Sequence, residues 1–160
     1  MADESPKRET LHYRRSHFVT RLPVDFFYTP SHCWLERRNE EGLWRVGLTK
    51  FATRMLGELV DFGFEEQPGA AVQTGQIIGW VEGFKAISDI YCVINGRFDG
   101  TNAALEKKIN AIDKDPYNTG GLYEATGEPD VKRMNVDAYT AVLDKTIDKI
   151  LENQRADEID

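Results

Sequence analysis

The chain has 160 residues, 41% of them hydrophobic, which is the length of one domain with apolar content for one ordinary core. A formal charge of −7 sets it against a phosphate backbone and so against broad nucleic-acid binding, and no stretch approaches the roughly 20 apolar residues of a membrane span. The charge is uneven: over residues 7–21, Lys7, Arg8, Arg14, Arg15 and Arg21 stand against Glu9 alone, a local +4 that leaves −11 for the rest.

Residues 1–27 are therefore expected to form a basic N-terminal arm, either a solvated tail or a segment that folds across the acidic body or meets an acidic partner. No apolar segment follows the start, and Asp3, Glu4 and Glu9 interrupt a transit-peptide pattern, so the expected location is cytoplasmic. Tyr28–Leu35 and Leu43–Leu48 read as two strands joined by the charged turn at 37–42. Thr49 is placed to cap a short helix in which Phe51, Ala52, Met55, Leu56 and Leu59 recur at helical spacing, with Gly57 weakening its end. Gly69, Gly75, Gly79 and Gly83 then punctuate short apolar runs, and Asn95-Gly96 predicts a tight turn, so the middle of the chain is expected to be mainly β. Those glycines include no GxxxxGK[ST], which removes a P-loop. Val136, Tyr139, Val142, Leu143, Ile147, Ile150 and Leu151 share one helical face, and Asn135 is available as its cap.

Little in the chain suggests catalysis. Cys33 and Cys92 form neither a CxxC motif nor a disulfide framework, and His12, His17 and His32 lack ligand-like spacing with them, so no metal site is expected. Cys92 and His32 could be imagined as nucleophile and base, but no third group or oxyanion-hole motif is readable, and Cys92 reads better as a buried strand thiol. The informative segment is Val81–Tyr91, where two apolar β-like arms flank a polar tip carrying Lys85. A carrier needs that placement: the amine must be open to a modifying enzyme, and the tethered group must swing between partner sites at high effective concentration.

Glu82, Lys85, Ala86, Ser88, Asp89 and Tyr91 resemble the V-E-S-V-K-A-x-S-D-x-Y signature of glycine cleavage H proteins, in which the lysine carries lipoate. Tyr28–Trp34 is similar to that family's Y-x-x-x-H-E-W, Val46–Thr49 to its V-G-I-T and Leu56–Val60 to its L-G-D-I-V, while Asn95-Gly96, Asn102, Leu105 and Asp115–Tyr117 keep its order and spacing. The resemblance covers about residues 28–123. It implies a mainly β fold, a flattened β-barrel of the lipoyl/biotinyl type with peripheral helices. The corresponding division is a basic arm at 1–27, a lipoyl domain at 28–130 and a C-terminal helix at 131–160 packed on it. It also implies a non-catalytic, monomeric carrier with lipoate on Lys85, for which Glu82 and Asp89 are candidate contacts of the lipoate-attaching enzyme. Biotinyl domains fit less well, because they set their lysine between methionines rather than between Phe84 and Ala86.

The chain departs from that pattern around the cleft that shelters an H protein's aminomethyl cargo. Cys33 replaces the glutamate of H-E-W, Lys50 an acidic residue after G-I-T, and Met55 a histidine found in some H proteins; Ser31 and Asp89 remain. Gly83-Phe84 replaces S-V, Phe64–Pro68 the L-P-E loop, and Gly121 a tryptophan. A cationic amine buried without an acidic partner is costly, so the changes suggest a different cargo. With the E-G-F-K-A segment and the arm, they resemble the H-like carriers that serve the heterodisulfide-reductase-like complex of sulfur oxidisers. The resemblance implies a lipoyl arm shuttling a sulfur intermediate and electrons among that complex, dihydrolipoamide dehydrogenase and the attaching enzyme. An H protein proper and an unmodified binding module remain as alternatives. Cys33 reads either as an aid to exchange or as a structural thiol.

Overall fold

The structure, a computed structural model, describes residues 8–159; Asp3, Glu4 and Lys7, used above, lie outside them. Strand β1 (Thr10–Arg15) pairs antiparallel with β2 (Phe18–Pro23) across a two-residue turn at Ser16 and His17. Next come β3 (Phe27–Tyr28), β4 (Cys33–Arg37), β5 (Leu43–Leu48) and helix α1 (Lys50–Leu56). Strands β6 (Leu59–Phe64), β7 (Ala71–Val72), β8 (Ile77–Gly83), β9 (Ile87–Tyr91) and β10 (Ile94–Thr101) make up the middle. A 3₁₀ turn at Ala103–Glu106, α2 (Ala111–Lys114), β11 (Tyr123–Pro129) and α3 (Val136–Ile159) complete the chain.

The fold is mainly β, as expected. Six strands form an antiparallel sheet in the order β3-β4-β5-β11-β10-β7, and three form a second in the order β6-β8-β9. Alternating burial explains why they pack. Trp44, Val46 and Leu48 of β5 turn inward, as do Ile78 and Val81 of β8, and one apolar cluster spans both sheets. The two sheets pack face to face on that core as separate ladders, a flattened arrangement that no single ladder closes into a barrel among the described residues.

Asn95 and Gly96 do not form the expected turn; both lie within β10. A Cβ on Gly96 would stand 2.0 Å from the Thr126 carbonyl oxygen of β11, so the glycine permits a close strand approach, while Asn95 Oδ1 accepts from the Thr74 amide at 2.9 Å. Cys92 lies in the link between β9 and β10 rather than in a strand, and is buried.

A second apolar cluster lies against β3 and β4. Tyr13, Phe18 and Leu22 of the first hairpin meet Phe51 of α1 and Val136, Tyr139, Leu143 and Ile147 of α3. Burying a leucine such as Leu22 or Leu143 contributes about 1.5–3 kcal/mol. The helical stripe read from the sequence is the face of α3 that packs here, and Asn135 Oδ1 accepts from the Ala138 amide as its cap. The basic stretch thus folds across the body. The Arg15 guanidinium donates twice to Asp148 of α3, at 2.9 and 2.8 Å, and the Tyr13 hydroxyl donates to Asp144 at 2.7 Å. No helix among the described residues is long and apolar enough to cross a membrane.

Candidate functional site

Lys85 stands on the three-residue link between β8 and β9, which pair antiparallel from Ile77↔Tyr91 to Glu82↔Ile87. The Gly83 amide donates to the Ala86 carbonyl at 2.9 Å and closes the tip. The tip does not wave free at its base. The Lys85 amide donates to the Leu56 carbonyl at 2.9 Å and the Phe84 amide to the Glu58 carbonyl at 3.0 Å, so the hairpin partners a carbonyl left open where α1 ends.

Two glycines make this docking possible. Gly57 ends α1 with φ +80, a backbone region that glycine enters without cost, and a Cβ there would press on Lys85 Cγ at 2.9 Å. A Cβ on Gly83 would lie 2.1 Å from the Leu56 carbonyl oxygen, so the tip approaches the helix end more closely than any side chain at 83 allows. The sequence signalled this only through a glycine where the resemblance places serine. The Lys85 side chain is exposed, and no carboxylate among the described residues lies within ion-pair distance of its ammonium. Glu82, half-buried, and Asp89, exposed, stand on the two strands either side of the tip.

Beside the tip opens a cleft of about 350 Å³. One wall is Ser31, His32 and Cys33; α1 contributes Phe51 and Met55, and β9 contributes Asp89 and Tyr91. Its lining is predominantly apolar, and among the described residues its only carboxylate is that of exposed Asp89. Lys50 was expected to bring a positive charge here, and the structure corrects that: its ammonium donates to the Asp113 carbonyl of α2, and it is not part of the lining. Of the two charge-altering substitutions, Cys33 alone bears on the cleft.

The cleft's thiol and imidazole are both uncharged. Burial pushes the Cys33 thiol up to about 11, so it stays protonated at neutral pH and is a weak nucleophile. Burial also raises the Cys92 thiol, which donates to the Ile94 carbonyl at 3.2 Å. His32 holds a left-handed backbone at φ +67; its Nδ1 meets the Tyr139 hydroxyl at 2.8 Å, which in turn meets Thr49 Oγ1 at 2.8 Å. Desolvation lowers the His32 pKa from 6.5 to about 4. The unfolded chain, whose imidazole titrates at 6.5, therefore binds the extra proton, and this group's contribution to stability is lost as pH falls from 6.5 towards 4. The loss should reach about 2 to 3 kcal/mol between about pH 7 and pH 4.5. Urea midpoints at both pH values should shift less in His32→Asn, since asparagine tolerates the left-handed backbone. Equal shifts in the two proteins would show that the imidazole is not desolvated.

Among the described residues no three His, Cys, Asp or Glu side chains are placed to hold a metal. An exposed lysine at a braced hairpin tip beside an apolar cleft is an arrangement that suits a carrier. Residues 26–146 match the glycine cleavage H-protein family, and the chain belongs to it. It is 38% identical over 127 residues to the glycine cleavage system H protein of Corynebacterium jeikeium, covering 77% of this chain and 98% of that one. The H protein of Mycobacterium bovis is 33% identical over 125 residues, covering 77% and 90%. The crystal structure of the H protein from Mycobacterium marinum superposes with a TM-score of 0.68 at 29% identity, covering 75% of this chain and 97% of that one.

Proposed function

We propose that the protein is a lipoyl carrier whose attachment point is Lys85. The observation that carries this reading is the lysine itself, exposed and without an ion pair among the described residues, on a tip fixed by the Leu56 and Glu58 carbonyls. The residues fit the group: the ε-amine would hold lipoate as an amide, and the apolar cleft next to it would accommodate the arm. A bound lipoyl group supplies two neighbouring thiols that can take a cargo or close to a disulfide. Lys85 then anchors, the tip orients, and the wall at Ser31, His32 and Cys33 limits access of water. Glu82 and Asp89 are read as contacts of the attaching enzyme, and dihydrolipoamide dehydrogenase as the enzyme that reoxidises the arm.

The names of the relatives favour an aminomethyl cargo and a role in glycine cleavage. One observation favours a second reading, a sulfur cargo shuttled for a heterodisulfide-reductase-like complex: a neutral thiol, Cys33, stands in the wall where the family pattern has an acid, and sulfur needs no ammonium pocket. Both readings rest on the same lysine. Protein made in a lipoate-competent host should gain one lipoyl mass, located on the peptide containing Lys85 and lost in Lys85→Ala. That variant should keep its stability to within about 0.5 kcal/mol, because an exposed side chain is removed. An increment that survives in Lys85→Ala, or no increment at all, would overturn the proposal.

A further inference from the structure

We infer that the outward face of the β1–β2 hairpin, which lies outside the part of the chain that matches the family, docks an acidic patch of a protein partner. The hairpin lies outside the family match, which begins at residue 26, and the Corynebacterium relative is covered over 98% of its length by 77% of this chain. The shared fold is therefore complete without it. Its inward face is used in packing, through Tyr13, Phe18 and Leu22, and Arg15 is engaged by Asp144 and Asp148.

The other face is different. His12 stands opposite Arg21 and Arg14 opposite Val19, so four exposed side chains form one compact patch that contains two arginines and no acid. Cross-strand neighbours sit about 5 Å apart. Neither Arg14 nor Arg21 has a carboxylate within ion-pair distance among the described residues, and Val19, 44% exposed, offers an apolar contact beside Arg14. Outside residues 7–21 the chain carries −11, so an acidic partner is repelled by the body and attracted here, which fixes its orientation as well as its place. Two arginines with no exposed aromatic in their own patch, on a chain of net charge −7, suit a protein carboxylate cluster better than RNA, which calls for stacking platforms and a broad cationic track.

The hairpin is tied to the element that braces the lysine: on its inward side Phe18 of β2 packs edge-on against Phe51 of α1 at 5.6 Å, and the last residue of that helix, Leu56, accepts from the Lys85 amide.

The test uses the full chain with a photo-crosslinking residue at Val19, in cells of the source organism, alone and with Arg14→Glu and Arg21→Glu together. In parallel, the purified ¹⁵N-labelled chain is titrated with hexaglutamate, a short RNA or anionic vesicles. The expected crosslink joins Val19 to an acidic segment of one protein and disappears on charge reversal, with thermal stability unchanged. Hexaglutamate should move the amides of His12, Arg14, Val19 and Arg21, with about tenfold weaker binding between about 20 and 200 mM salt. Tighter binding of RNA or vesicles, a crosslinked segment without excess acid, or a yield indifferent to charge reversal would overturn the inference. The same titration on Lys85→Ala should be unaltered, which separates this face from whatever Lys85 carries.

Discussion

Gly83→Ser should destabilise the protein by about 3 kcal/mol or more, even though serine is the residue that the family signature carries at this place. The new Cβ would be built 2.1 Å from the Leu56 carbonyl oxygen and 3.1 Å from that of Gly57, both backbone atoms that cannot swing aside. The tip must lift, and two hydrogen bonds, Lys85 to Leu56 and Phe84 to Glu58, are lost or lengthened. For a chain of this size the thermal midpoint falls by about 2–4 °C per kcal/mol, so calorimetry should read a drop of roughly 6–12 °C. Phe84→Ala, one residue along, removes a side chain that is 77% exposed and should cost less than about 0.5 kcal/mol. A lifted tip also moves Lys85, so modification of Gly83→Ser should be slower at a temperature where it remains folded. A midpoint within 2 °C of wild type would mean that the close approach does not bear on stability.

In a glycine exchange assay with purified decarboxylase, the lipoylated chain should fall at least about tenfold below an H protein, and Cys33→Glu should recover much of the difference. A charged hydrogen bond contributes about 1.5–3 kcal/mol, and the only carboxylate that lines the cleft among the described residues, that of Asp89, is exposed. Lys50 need not be changed, because its ammonium is already turned to Asp113. The thermal midpoint of Cys33→Glu must be checked, since Cys33 is buried. Turnover equal to that of the H protein would defeat the cleft argument and leave the aminomethyl reading standing alone. No turnover in either protein would place the block at docking to the decarboxylase and favour the sulfur reading.

Much of this architecture was legible in the sequence, for identifiable reasons. The pairing of β4 with β5, the Thr49 cap and the α3 stripe are local patterns that survive in the fold, and Thr49 Oγ1 accepts from the Ala52 amide, but the strand read over Tyr28–Leu35 is broken after Tyr28 into β3 and β4, and Leu59, read with the helical stripe of α1, opens β6 instead. Lys85 was found because its neighbours form a signature. Three features were not legible, because each depends on residues distant in sequence. The β1–β2 hairpin was hidden by arginines and histidines alternating with Tyr13, Phe18 and Leu22, a pattern that has meaning only once α3 supplies the other half of the cluster. Asn95-Gly96 carries a strong turn signal, yet the pair is read by β11 rather than by a turn. The direction of Lys50 depends on α2, more than sixty residues further along.

The second apolar cluster has a consequence for the order in which the molecule is made. The bonds that steady the lysine tip all join residues between 56 and 86, whereas Tyr13 meets Asp144 across 131 positions and Arg15 meets Asp148 across 133. Contacts so far apart close late, because the chain must give up more freedom before they form. During synthesis the three-stranded sheet and α1 are available together while α3 is still inside the ribosome, and the first hairpin waits for its partner helix. The lysine is thus held by the part of the protein that can be finished first, and the first hairpin and α3 close on each other afterwards.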